Sequence, residues 1–157
     1  YYNWQRYPTL KKFQDNLRAN LTAQEGGKVE VIFRLGEVYL LAAEADVGLN
    51  NSQEAADMVN VLRVRAASPA HKGDNNVTPA QMTLDFIMDE RERELAGEFN
   101  RWYDLVRPGA QYFVDRVKQY NPHAAPNIAI KHWLRPIPQS QIDGVVNGPP
   151  YPQNTGY

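Results

Sequence analysis

Apolar residues recur at helical spacing in four stretches of this chain, separated by polar or proline-bearing breaks. The first, residues 29–47 (VEVIFRLGEVYLLAAEADV), is apolar almost all the way round, which predicts a central, buried helix. Gly48 supplies its C-terminal stop. Ser52 then caps a second helix over 53–67 (QEAADMVNVLRVRAA), with Ala55, Val59, Leu62 and Ala66 on one face. Ser68-Pro69 ends it, so the pair reads as an antiparallel helical hairpin. After a loop over 68–78, Thr78-Pro79-Ala80-Gln81 combines a cap, a proline at the first helical position and a capping-box partner. The long helix this predicts runs to Arg107, where Pro108-Gly109 halts it. A shorter amphipathic helix over 111–120 (QYFVDRVKQY) completes a second hairpin.

The two ends read differently. The first 28 residues are polar and aromatic, with Tyr1, Tyr2, Trp4 and Tyr7 close together. Thr22 to Glu25 has capping-box spacing, but Gly26-Gly27 follows at once and makes it a loop. Seven of the eleven prolines lie beyond Asn121, which predicts extended coil over 121–157, laid across the helices. The expected fold is all-α: helical hairpins with a proline-rich extended C-terminal tail, in one domain over residues 1–157. Ile32-x-x-Leu35-Gly36-x-x-Tyr39 follows the opening half of the tetratricopeptide pattern. The hairpins start about 50 residues apart rather than the ~34 of that repeat, so the arrangement is a degenerate one.

Charge changes the picture in one place. Ten of the nineteen residues over 89–107 are charged, around a stripe of Leu84, Ile87, Arg91, Leu95, Phe99, Trp102 and Val106 that steps by three or four. Arg91 lies on that stripe and therefore needs a carboxylate or a route to water. Glu98, Arg101, Asp104 and Arg107 alternate in sign at intervals of three, so neighbours can touch. On the first helix, Arg34, Glu37 and Glu44 share one stripe and are the expected partners for Arg91, Glu94 and the rest.

Two catalytic readings of this stretch are weaker than that structural one. Glu90, Glu94 and Glu98 as metal ligands would need Glu-x-x-His motifs on facing helices, and His71, His123 and His132 form none. Glu94 and Glu98 as a glycosidase pair would need a defined separation, which spacing alone does not supply. G-x-S-x-G, P-loop, G-x-G-x-x-G and H-E-x-x-H motifs are all missing. No cofactor is expected. A net charge of −1 argues against nucleic acid, no apolar run approaches a membrane span, and the lack of cysteine excludes disulfides and thiol chemistry.

Five segments taken together resemble the RagB/SusD family: YPTLKKF (7–13), FRLGEVYLLAAEA (33–45), RELAGEFNRWYDLVRPG (93–109), WLRPIPQSQID (133–143) and the closing PQNTGY. Gly36, Pro108 and Thr155 depart from the family's usual residues and leave the charged helix untouched. The resemblance implies tetratricopeptide-like helix pairs in a surface-exposed outer-membrane lipoprotein that is not an enzyme. It implies a TonB-dependent, SusC-like transporter as partner and a glycan or other nutrient as ligand. The family's signal peptide and lipid-bearing Cys are missing here, so the chain resembles the C-terminal portion, held to the membrane only through an anchor it lacks.

Binding residues do not carry over from the resemblance. Trp4 and Tyr7 are weak local candidates, offering flat apolar ring faces to a sugar, against the alternative that they pack where preceding chain joins. Trp133 is expected to pin the tail to the helices, with Tyr151 and Tyr157 as lesser anchors. The competing functional reading is a helical-repeat scaffold for a protein partner.

Overall fold

The computed structural model describes residues 10–20, 22–23, 25–29, 31–149 and 151–157. Trp4 and Tyr7 lie outside them. Every regular element among the described residues is helical, in keeping with the all-α expectation. None of the described helices is long and apolar enough to cross a membrane. The chain divides into two compact units, one ending at Phe99 and the other spanning Asn100–Tyr157.

The first unit is built on helices α1 (Leu35–Gly48), α2 (Ser52–Ala66) and α3 (Leu84–Glu94). α1 starts at Leu35 and not at residue 29 as the apolar run suggests. The β-branched Val29, Val31 and Ile32 lose side-chain freedom in a helix, and Arg34 sits extended at the N-cap (φ −144°, ψ 159°). At the other end Gly48 is the last helical residue, and Asn50 makes the stop with φ 63°. The Asn51 N–H donates to Asp46 O at 2.8 Å and the Asn50 N–H to Val47 O at 3.1 Å. That is a Schellman closure with Asn in the place glycine usually takes.

α2 follows after a three-residue turn and packs back along α1. Leu40 and Ala43 meet Ala55, Ala56, Val59 and Leu62, and Ile87 of α3 joins them. Small alanines let the helix axes close up, while burying Leu40, Val59 and Ile87 stabilises by about 1.5–3 kcal/mol each. Ala66, expected on the same face, is exposed, because the helix ends there. The loop beyond is tied down through Asn60, whose amide accepts from the Val77 N–H (2.8 Å) and donates to Val77 O (3.0 Å).

The single long helix expected over 78–107 is replaced by three pieces. Thr78 to Gln81 does engage, with the Thr78 N–H donating to Gln81 Oε1 at 2.8 Å, but it yields only a 3₁₀ turn over Pro79–Gln81. The α-helix starts later, where Thr83 Oγ1 accepts from the Phe86 N–H at 3.2 Å. It ends at Glu94 because Gly97 (φ 79°) and Phe99 (φ 63°) turn the chain into left-handed conformations. Phe99 therefore leaves the apolar stripe and stands 79% exposed.

The second unit holds α4 (Arg101–Val106), α5 (Ala110–Tyr120) and α6 (Gln139–Asp143). Gly109, at φ 119°, makes the turn from α4 to α5. Leu105, Phe113 and Val114 form its core, with Trp102 edge-on to Phe113 at 5.0 Å between ring centroids. The Trp133 indole donates to Val106 O at 2.7 Å, which pins the tail to α4. The tail itself is not plain extended coil. It contains a 3₁₀ turn over Ile130–Trp133 and the short α6. It also folds on itself, since the Gln153 amide both accepts from the Ile137 N–H (2.8 Å) and donates to Ile137 O (2.9 Å). Proline removes donors, and these side-chain amides supply partners in their place.

Candidate functional site

Three glutamates, Glu90, Glu94 and Glu98, follow one another at intervals of four where α3 ends. Each of them holds two cations. Arg63 grips Glu90 with both arms of its fork, Nε at 2.9 Å and Nη2 at 2.8 Å, while Arg93 approaches the same carboxylate from within α3. Arg34 Nη1 and Arg65 Nη2 both donate to Glu94 Oε1, at 2.5 Å and 2.6 Å. Glu98 accepts from Arg34 Nε and from Lys12 Nζ, each at 2.8 Å. Arg34 thus joins two of the three carboxylates.

The backbone takes part as well. Glu94 O, a carbonyl left open at the C-terminal end of α3, accepts from Arg34 Nη2 at 2.7 Å and from Lys12 Nζ at 3.1 Å. Cations here satisfy an orphan acceptor and meet the negative end of the helix dipole. Lys28 Nζ donates to the carbonyls of Lys12 and Gln14, tying the segment before α1 to the same place. Gly36 makes room, since a Cβ there would lie 2.5 Å from Arg34 Nη1 and 2.8 Å from Glu94 Oε1.

These contacts set the protonation states. Burial pushes the carboxyls of Glu90, Glu94 and Glu98 up, but the hydrogen bonds from their arginines and from Lys12 outweigh it and hold all three below the ordinary carboxylate range. Arg34 is shifted up, chiefly by its bond to Glu98, against the opposing effect of burial. A carboxylate kept ionised by two cations has no proton to give at neutral pH and poor basicity, so the cluster is unsuited to acid–base work. Among the described residues no three His, Asp or Glu side chains are grouped to hold a metal ion.

The anticipated groups separate into distinct contacts. Arg34, Glu94 and Glu98 come together as described. Arg91 and Glu37 meet apart from them, Nη2 to Oε1 at 3.4 Å, with Arg91 only 1% exposed. In the second unit Arg107 lies 3.7 Å from Asp104. Glu44 and Arg101 are both half-buried. The alternating series from Glu98 to Arg107 does not run as one helical row, because the turn at Gly97 and Phe99 aims Glu98 at Arg34 and Lys12. Arg63, Arg65 and Lys12 were not anticipated as partners. Two arginines in the last turn of α2 without nearby acids were the available signal.

Nor are the acids shut inside the helices. Glu94 and Glu98 stand on the wall of a cleft of about 750 Å³, with Phe13, Val29, Val31 and Phe99 as its apolar surface. In this opening charged and apolar groups face a shared space large enough for another molecule or segment.

Comparison with known proteins adds the family. The SusD family model matches residues 2–157. The SusD-like protein P25 of Formosa agariphila is 36% identical over 114 residues, which is 71% of this chain and 21% of that protein. The SusD-like protein P2 of the same organism is 31% identical over 150 residues, 88% of this chain and 28% of the relative. A SusD-like protein of Bacteroides ovatus is 33% identical over 90 residues, 57% of this chain and 15% of the relative. The chain therefore spans less than a third of the length of these relatives. No solved structure matches it. With the family model covering all but the first residue, this chain belongs to the SusD family.

Proposed function

We propose that residues 1–157 form the helical scaffold of a nutrient-binding protein that works at the outer membrane with a SusC-like, TonB-dependent transporter. The nutrient class we favour is a glycan. The carrying observation is the family match over residues 2–157. The geometry supports binding over turnover, because both acids on the cleft wall are already committed to cations. We read the chain as the C-terminal portion of a longer lipoprotein, surface-exposed, with residues 121–157 as a tail belonging to its helical domain. Trp4 and Tyr7 remain the aromatic candidates for ligand contact within it.

The test is genetic and biochemical. Deleting the gene should abolish uptake of a glycan that the parent cell imports, and affinity purification of the complete protein should recover a TonB-dependent transporter. The purified protein should bind that glycan without shortening it. Glycan hydrolysis that disappears in Glu94→Gln or Glu98→Gln would overturn the reading. Recovery of a soluble peptide partner in place of a transporter would favour a protein-interaction scaffold.

A further inference from the structure

An asparagine can modify its own chain when the backbone nitrogen of the next residue reaches its side-chain amide. The step needs an uncrowded following residue and an N–H that the fold has not already committed. Such chemistry makes asparagine one of the heat-sensitive residues. At several asparagines here the fold withholds that nitrogen. The N–H after Asn50 donates to Asp46 O (2.8 Å), the one after Asn75 to Gly73 O (3.0 Å), and the one after Asn127 to Ala124 O (3.0 Å). The N–H of Val77, after Asn76, donates to Asn60 Oδ1 at 2.8 Å. Asn121 precedes a proline, which has no N–H to offer. Asp143 precedes a glycine, but the Gly144 N–H is held by Ser140 O at the end of α6 (3.2 Å).

Asn147 differs in each respect. No other asparagine of the sequence is followed by glycine. It is exposed, in the bend between α6 and Gln153, and its neighbour Val146 is 87% exposed. The Gly148 N–H donates to no described residue. Gly148 stands at φ 113°, and nothing lies within 4 Å of where its Cβ would be. The approach to the Asn147 side chain is open.

We propose that Asn147 and Gly148 form a self-modification site whose co-reactant is water. The Gly148 nitrogen gives up its proton and bonds to Asn147 Cγ, the Cγ–Nδ2 bond breaks, and ammonia leaves. A cyclic succinimide remains, with nothing oxidised or reduced. Water then opens the ring. Cleavage at the main-chain carbonyl of residue 147 leaves the chain running through Cγ, as isoaspartate, and cleavage at Cγ gives aspartate. Either product puts a carboxylate where a neutral amide stood, so the ageing protein gains one negative charge here.

The test is to incubate the folded, complete protein in mildly alkaline buffer and map its peptides by mass spectrometry. Residue 147 should convert at least about tenfold faster than Asn50 and Asn75, with isoaspartate among the products. In urea, Asn50 and Asn75 should speed up as the N–H groups after them are released, while Asn147 changes by no more than about twofold. Asn147→Gln should stay unconverted over the same time, because its longer side chain must close a larger ring. Equal rates at the three asparagines of the folded protein overturn the proposal. So does a speed-up of Asn147 on unfolding that matches theirs, which means the fold guards it. Aspartate formed without isoaspartate also overturns it, as the mark of direct hydrolysis.

Discussion

Arg34 and Glu94 meet twice: the guanidinium donates Nη1 to the carboxylate at 2.5 Å and Nη2 to the backbone carbonyl of the same residue at 2.7 Å. The third donor, Nε, reaches Glu98 at 2.8 Å. One side chain at the N-cap of α1 thus ties down the end of α3 and the turn after it. Lysine, a single point charge, has no fork to span those acceptors.

Removing this side chain should loosen the first unit. Arg34→Met is expected to cost about 1–3 kcal/mol, less than a fully buried pair because Arg65 and Lys12 remain and the site is partly wet. Arg34→Lys should recover only part of it. Urea unfolding of the three proteins checks the order, and equal midpoints would show that the cluster contributes nothing.

The two arginines on Glu90 should differ. Arg63 is bidentate and 23% exposed, whereas Arg93 is 53% exposed. Arg63→Ala should destabilise by about 1–3 kcal/mol and Arg93→Ala by no more than ~1 kcal/mol. A larger loss for Arg93→Ala would contradict the assigned geometry.

Arg91 and Glu37 form an enclosed pair, with side chains 1% and 8% exposed. Arg91→Met leaves the Glu37 carboxylate buried beside an apolar chain and should cost on the order of 3–5 kcal/mol. Replacing both, as Arg91→Met with Glu37→Met, should cost clearly less than the sum of the two single changes. Strict additivity in a double-mutant cycle would mean that the pair is not coupled.

Stability should also depend on pH through the glutamates. Glu90, Glu94 and Glu98 all bind protons less readily folded than unfolded, so the unfolded chain takes up more protons as pH falls. Their contribution is complete above the ordinary glutamate value of ~4.3 and is lost as pH drops through the lower folded-state values. Thermal midpoints should stay level from neutral pH to about 5 and fall below about 4, with a shallower fall in Glu94→Gln. An unchanged acid limb in that variant would remove Glu94 from the account.

Gly97→Ala tests the break after α3. The residue has φ 79°, and a Cβ would sit 2.5 Å from Leu10 Cδ1 and 2.7 Å from Phe13 Cε2. The left-handed backbone alone costs roughly 1–2 kcal/mol in a residue with a side chain, and the two apolar contacts add to that. Tolerance of alanine with no loss of melting temperature would mean that the chain continues as helix there.

Much of this protein was legible as local pattern. Helices α2 and α5 lie within a residue or two of where periodicity and end signals put them, because a 3.6-residue apolar stripe with a stop beyond it has few other solutions. Trp133 was expected to hold the tail and does so through Val106. The family was legible too, in the charged and aromatic segments around α1 and α3. Pattern failed at one helix start: the capping box at Thr78 gave only a 3₁₀ turn, and the α-helix began at Thr83. Gly97, inside a strongly helical composition, was outvoted by its neighbours on paper. In the fold its positive φ, flanked by Leu10 and Phe13, decides the outcome.

By itself, then, the order of residues determined which stretches coil, where most of them stop, and that Glu94 and Glu98 would be ion-paired. It did not say which cations. Arg63, Arg65 and Lys12 reach those acids across 27, 29 and 86 positions of sequence. Helical periodicity acts between neighbours three or four apart, whereas a salt bridge is chosen by whichever side chains packing brings within about 4 Å. Only the tertiary structure makes that choice.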